Sequence, residues 1–66
     1  MRVTINDHVI VLPEHLSLSA LFTYLDRPTQ GHAIAVNDTV IPHVRWSEYR
    51  LSDGDVVLLI QSVAGG

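Results

Sequence analysis

The sequence predicts an α+β domain in which one short helix lies across one face of a single sheet, in the order β-β-α-β-β-β. Three observations predict it. Apolar residues alternate with polar ones, or run as short β-branched stretches, near both ends of the chain. A single window repeats its apolar residues with helical spacing. Residues that favour turns separate the runs. With 66 residues there is room for one domain only. A chain of this size buries only ~60% of its unfolded surface, so every element must share one core.

Residues 2–12 read as a hairpin. Val3 and Ile5 alternate with Arg2, Thr4 and Asn6, the period of two that sends one set of side chains inward. Asn6-Asp7-His8 interrupts the run, and Asn and Asp tolerate left-handed turn conformations. Residues 9–12 return, and Pro13 ends the strand because it has no N–H for a ladder. Residues 17–25 read as the helix. Leu18, Leu21, Phe22 and Leu25 fall at i, i+3, i+4 and i+7, and Ser17 suits the N-cap. Asp26-Arg27-Pro28 stops it, and residues 29–32 form a polar loop.

Residues 33–37 read as a short strand, Asn37-Asp38 turns it, residues 39–41 return and Pro42 closes the segment. Residues 43–51 are irregular or a short helical turn, anchored by Trp46 and Tyr49. Ser52-Asp53-Gly54-Asp55 is a turn in which Gly54 takes a positive φ without steric cost. The last strand is Val56 to Gln61. The domain is therefore expected over 1–61, with 62–66 as a flexible C-terminal Gly-Gly tail.

Composition excludes several function classes. Apolar residues make up 47% and charged residues 17%, which favours a folded domain over a disordered tail. The net charge is -3 with four Lys+Arg, too few to neutralise a phosphate backbone, so no nucleic-acid partner is expected. There is no cysteine, which removes disulfides, thiolate nucleophiles and sulfur-rich metal sites. A small secreted domain would usually need such staples. The first residues also lack a signal-peptide pattern. A cytoplasmic, monomeric protein without a membrane span is the expectation.

No interior constellation carries chemistry. His8, His15, His32 and His43 sit in separate predicted turns or loops, with none of the i, i+3 or i+4 spacing of a helical metal site. No metal and no bound cofactor are expected. Asp53-Gly54-Asp55 lacks the remaining ligands of a calcium loop. Glu14, Asp26 and Glu48 have no sequence reason to meet as an acid–base pair, and no serine lies in a nucleophile elbow.

The end of the chain is different. Val56 to Ile60 is apolar at five successive positions, yet strand side chains alternate between faces. Val57 and Leu59 are expected inward and Leu58 and Ile60 outward, on a face that one short helix leaves bare. The sequence leaves open whether residues 43–51 fold over them. An exposed apolar patch beside the tail is a candidate partner-docking site. The Gly66 α-carboxylate is ionised at neutral pH. Another enzyme could adenylate it, giving an acyl group open to attack by sulfur or nitrogen. Gly65 and Gly66 leave no side chain in the way, and Val63 to Gly66 could reach about 13 Å at ~3.3 Å per residue. The dipeptide taken alone is equally consistent with an ordinary flexible terminus.

A-V-N (35–37), V-I-P (40–42), Trp46, L-S-D-G-D (51–55), an apolar strand and V-A-G-G (63–66) together resemble the ThiS family of thiamine-biosynthesis sulfur carriers. I-N-D (5–7) and L-S-A-L-F (18–22) fit the same pattern, so the resemblance spans essentially the whole chain. It implies a ubiquitin-like β-grasp fold with a mixed sheet of about five strands. It also implies that the protein is no enzyme but a co-substrate. An E1-like adenylating enzyme of the ThiF type, using Mg-ATP, would activate Gly66. Sulfur from a cysteine desulfurase relay would then convert the adenylate to a thiocarboxylate. A thiazole synthase of the ThiG type would take that sulfur for the thiazole ring of thiamine. Gly65 and Ala64 would provide slender access, and Leu58, Ile60 and Arg45 the docking contacts. Many members carry a basic residue where this chain has His43; if that residue meets an acidic partner surface, either Arg45 is the nearby substitute here or the contact is pH-sensitive.

Related classes stay open. The small subunit of molybdopterin synthase shares the fold and the Gly-Gly thiocarboxylate but usually runs longer. A carrier for another sulfur pathway, a TGS-like β-grasp binding module without a free Gly-Gly end, and a ubiquitin-like modifier complete the set.

Overall fold

The computed structural model describes residues 1–61. The elements are β1 (Arg2–Ile5), β2 (His8–Val11), α1 (Leu18–Tyr24), β3 (His32–Val36), β4 (Thr39–Val40), a 3-10 turn (His43–Arg45) and β5 (Val56–Gln61). They build one sheet of order β2-β1-β5-β3-β4. The central pair β1·β5 is parallel and every other pair is antiparallel. The order β-β-α-β-β-β and the mixed five-stranded sheet are those expected. No helix among the described residues is long and apolar enough to cross a membrane.

The two hairpins close on the same chemistry. Asn6 and Asp7 have φ of 48° and 69°, and Asn37 and Asp38 have 49° and 70°. Two successive residues in the left-handed region make the tight turn whose twist matches that of the flanking strands. The first turn is therefore two residues long, not three, and His8 already belongs to β2. Strand β3 begins at His32, inside the stretch expected as loop, because His32 pairs with Gln61. Strand β4 ends at Val40, although the Ile41 N–H still donates to the Ile34 carbonyl at 2.9 Å.

The helix starts where its cap dictates. Ser17 is extended, and its hydroxyl accepts from the Ala20 N–H at 3.1 Å. The C-terminal end is set by backbone closure more than by Pro28. The Asp26 N–H donates to the Thr23 carbonyl, and the Arg27 N–H to the Phe22 carbonyl. This is the Schellman arrangement, with Asp26 at φ 56° where glycine is usual. Leu18, Leu21 and Phe22 are fully buried, and Leu25, now the C-cap, is partly buried against them.

The core fills the space between α1 and the sheet. Val3, Ile5, Ile34, Val36, Val57 and Leu59 point into it from three strands. Trp46 is 2% exposed, stacks on Phe22 with ring centroids 5.0 Å apart, and donates its indole N–H to the Ile41 carbonyl at 2.9 Å. Tyr49 is only half-buried and packs on the core edge. The segment around Trp46 runs beside the start of the helix. Leu18 and Ser19 donate to the carbonyls of Tyr49 and Trp46, Leu51 donates to that of Leu16, and Ser17 bridges Arg50.

Candidate functional site: the open sheet face and the base of the tail

Register decides which side chains share the face away from the helix. Val9 lies opposite Thr4, which lies opposite Val56. Leu58 lies opposite Ala35, which lies opposite Val40. Ile60 pairs with Ala33, and Val11 with Arg2. Val57 and Leu59 pair with Val36 and Ile34 on the covered face. Leu58 is 49% and Ile60 43% exposed, against 1% for Val57 and 7% for Leu59. The inward and outward assignments made from the alternation therefore stand. The segment 43–51 does not cover Leu58 and Ile60, because Trp46 anchors it on the helix side.

The face is wider than the sequence reading found. Val9, Val11, Val40 and Val56 are also more than half exposed, so three of the five strands, β2, β4 and β5, contribute large aliphatic side chains to one surface. Arg2 and Thr4 are the side chains that β1 adds to it. The missed signal was parity. Once Val3 and Ile5 are inward, Val9 and Val11 follow outward through a two-residue turn. A three-residue turn conceals that. Val56, Leu58 and Ile60 form one row on β5, with Arg2 and Thr4 of β1 between them and the β2 valines, and exposed apolar residues grouped in this way make the face a candidate interaction site.

Arg45 sits on a different element. Its guanidinium Nε lies 3.2 Å from Glu48 Oε1, and both side chains are well exposed, which makes a weak surface pair. The 3-10 turn that carries it is tied to the helix side through Trp46, so Arg45 is no part of the apolar rows. His43 is exposed with its ring edge-on to Trp46 at 4.5 Å, and His32 is edge-on to Phe22 at 5.6 Å. These two histidines cap an aromatic stack instead of floating in loops. Among the described residues no three His, Asp or Glu side chains gather to hold a metal ion. A cleft of about 340 Å³ beside the first hairpin is lined by Ile5, Asn6, His8, Ile10, Leu25 and Leu59, with Arg27. Among the described residues that line it there is no carboxylate, and His8 is the one imidazole, with no acidic side chain beside it to form a catalytic pair.

Strand β5 is described to Gln61, opposite His32 and two residues past Leu59, which Asn6 of the first hairpin contacts. The expected tail, with Ala64, Gly65 and Gly66, lies outside the described residues.

Residues 1–66 match the family model of the ThiS family. The chain belongs to the ThiS family. It is 32% identical over 66 residues to the sulfur carrier protein ThiS of Escherichia coli, covering all of both chains. It is 34% identical over 66 residues to the uncharacterized protein ycf40 of Porphyra purpurea, covering all of this chain and 93% of that one. Among solved structures it resembles the crystal structure of the thiamine biosynthesis protein ThiS from Geobacter metallireducens. The TM-score is 0.87 at 22% identity, over the full length of both chains. That likeness shows the fold, the ubiquitin-like β-grasp.

Proposed function

We propose that this ThiS-family chain is a sulfur carrier for the thiazole ring of thiamine and that the Gly66 carboxylate is its reactive group. The observation that carries the reading is the family match across all 66 residues, including V-A-G-G at 63–66. The bare apolar face beside the outgoing strand supports it, since a carrier must dock on enzymes that hold its end.

An E1-like activating enzyme takes the carrier and Mg-ATP together. One oxygen of the Gly66 carboxylate attacks the α-phosphate, pyrophosphate leaves, and an acyl-adenylate forms. A persulfide sulfur, supplied through a cysteine desulfurase relay, then attacks the acyl carbon and displaces AMP. Reductive cleavage of the resulting acyl disulfide by a thiol leaves the thiocarboxylate. Thiazole synthase accepts that sulfur. Among the described residues no three His, Asp or Glu side chains gather to hold a metal ion, and in this reading the partners supply the acid–base chemistry. Gly65 and Ala64 keep the approach narrow, and only the backbone has to pass the partner's nucleotide site. Leu58 and Ile60, with Val9, Val40 and Val56 around them, form the apolar docking face, and Arg45 is a separate polar contact for an acidic partner surface.

The test is intact mass after incubation with an activating enzyme, ATP and a sulfur donor. The expected product carries one sulfur in place of one oxygen at Gly66. Absence of both adenylate and exchange overturns the reading. A chain extended by one residue after Gly66 is expected to fold with unchanged thermal stability and to give no adenylate. If it is activated, Gly66 is not the reactive group.

A further inference from the structure

The backbone ladder between β1 and β5 is short. It pairs Thr4 with Val56 and Ile5 with Val57, and then β1 turns away at Asn6. The Asn6 N–H still donates to the Val57 carbonyl at 3.1 Å. Beyond it the β1-facing N–H and C=O of Leu59 have lost their neighbour strand. The Asn6 side chain takes that strand's place. Its Oδ1 accepts from the Leu59 N–H at 2.9 Å, and its Nδ2 donates to the Leu59 carbonyl at 3.4 Å. On the other side Ile34 pairs with Leu59. Leu59 is thus held from both flanks, two residues before β5 ends.

Asn37 does the same kind of work at the opposite end of the strand. Its Oδ1 accepts from the Val56 N–H at 2.9 Å, and its Nδ2 donates to Asp55 Oδ1 at 3.0 Å. Both asparagines open a left-handed two-residue turn, and both clamp β5. One secures where the strand begins and the other where it leaves.

We infer that Asn6 is a positioning residue for the terminal reaction, fixing the direction in which β5 delivers Gly66 to a partner's active site. The inference rests on the carrier reading. Gly66 lies seven positions after Leu59 in the sequence. Beyond Leu59 only Ile60 and Gln61 remain in the described strand, paired with Ala33 and His32 of β3, so the Asn6 clamp is the last hold on β5 from the β1 side. A misplacement of about 1 Å can cost ~100-fold in rate. Asparagine fits both demands of the position. It tolerates positive φ and offers one acceptor and one donor to one residue's backbone. Aspartate would keep the acceptor and face the Leu59 carbonyl with a second oxygen.

Asn6→Gly keeps the turn and removes the clamp, and Asn37→Gly is the matched control at the other end. Both are compared with wild type at a temperature where circular dichroism shows all three fully folded. Amide exchange at Leu59 and the rate of adenylation by an activating enzyme are followed. In Asn6→Gly the Leu59 amide is expected to lose protection. The kcat is expected to fall at least about tenfold while KM for the carrier stays within about threefold, because the docking face is intact. Asn37→Gly is expected to keep both constants within about twofold. Equal kcat values for the two variants, or a loss confined to KM, overturn the positioning role while leaving the carrier reading in place. A wild-type chain that gives no adenylate overturns that reading and this inference with it.

Discussion

Replacing Leu58 by glutamate separates docking from folding. Leu58 is 49% exposed. Full burial of a leucine side chain stabilises by about 1.5–3 kcal/mol, so the buried half contributes about 1. Glutamate in a strand costs a few tenths more. The total is about 1–2 kcal/mol, against about 3–10 kcal/mol for a chain of this length at ~0.05–0.15 per residue. A small domain loses about 4–8 °C in Tm per kcal/mol, which gives a drop of about 5–15 °C by circular dichroism. The effect on association is larger in proportion. An unpaired carboxylate pressed into a desolvated apolar contact is expected to cost at least about 2 kcal/mol, or ~30-fold in Kd. Titration calorimetry against the activating enzyme, well below the variant's Tm, reads that change. A Kd within about threefold of wild type refutes docking through this face. A Tm loss above about 20 °C refutes the assignment of Leu58 to the open side.

Two further outcomes follow from the core and the helix end. Phe22→Ala removes a ring that is 1% exposed and stacked on Trp46, at a cost of about 3–5 kcal/mol, so most of the stability should vanish and near-ultraviolet dichroism should be weak at 37 °C. Asp26→Gly relieves a non-glycine residue held at φ 56° in the Schellman turn, and urea unfolding should show a gain of about 0.5–1 kcal/mol.

Much of this was legible in particular residues. The i, i+3, i+4, i+7 spacing of Leu18, Leu21, Phe22 and Leu25 identifies the helix and its buried stripe because helix geometry is local. The alternation of Val57, Leu58, Leu59 and Ile60 yields the two faces of β5 for the same reason. The order of weak motifs across the chain was enough to suggest the family. The boundaries that moved did so for tertiary reasons. His32 joins β3 because Gln61 lies opposite it, and the helix ends on carbonyls that Asp26 and Arg27 reach only in a left-handed turn.

Sequence alone determined the element order, the core side of β1 and β5 and the absence of any cysteine chemistry, since these follow from local periodicity and composition. Tertiary structure decided what lies bare. Whether residues 43–51 cover Leu58 and Ile60 depends on where Trp46 finds a partner, and stacking on Phe22 together with the Ile41 carbonyl draws it to the helix side. The joining of Val9, Val11, Val40 and Val56 into one face depends on strand order and register. The grip of Asn6 on Leu59, 53 residues away, exists only because β1 and β5 lie side by side. No local pattern encodes a neighbour that distant.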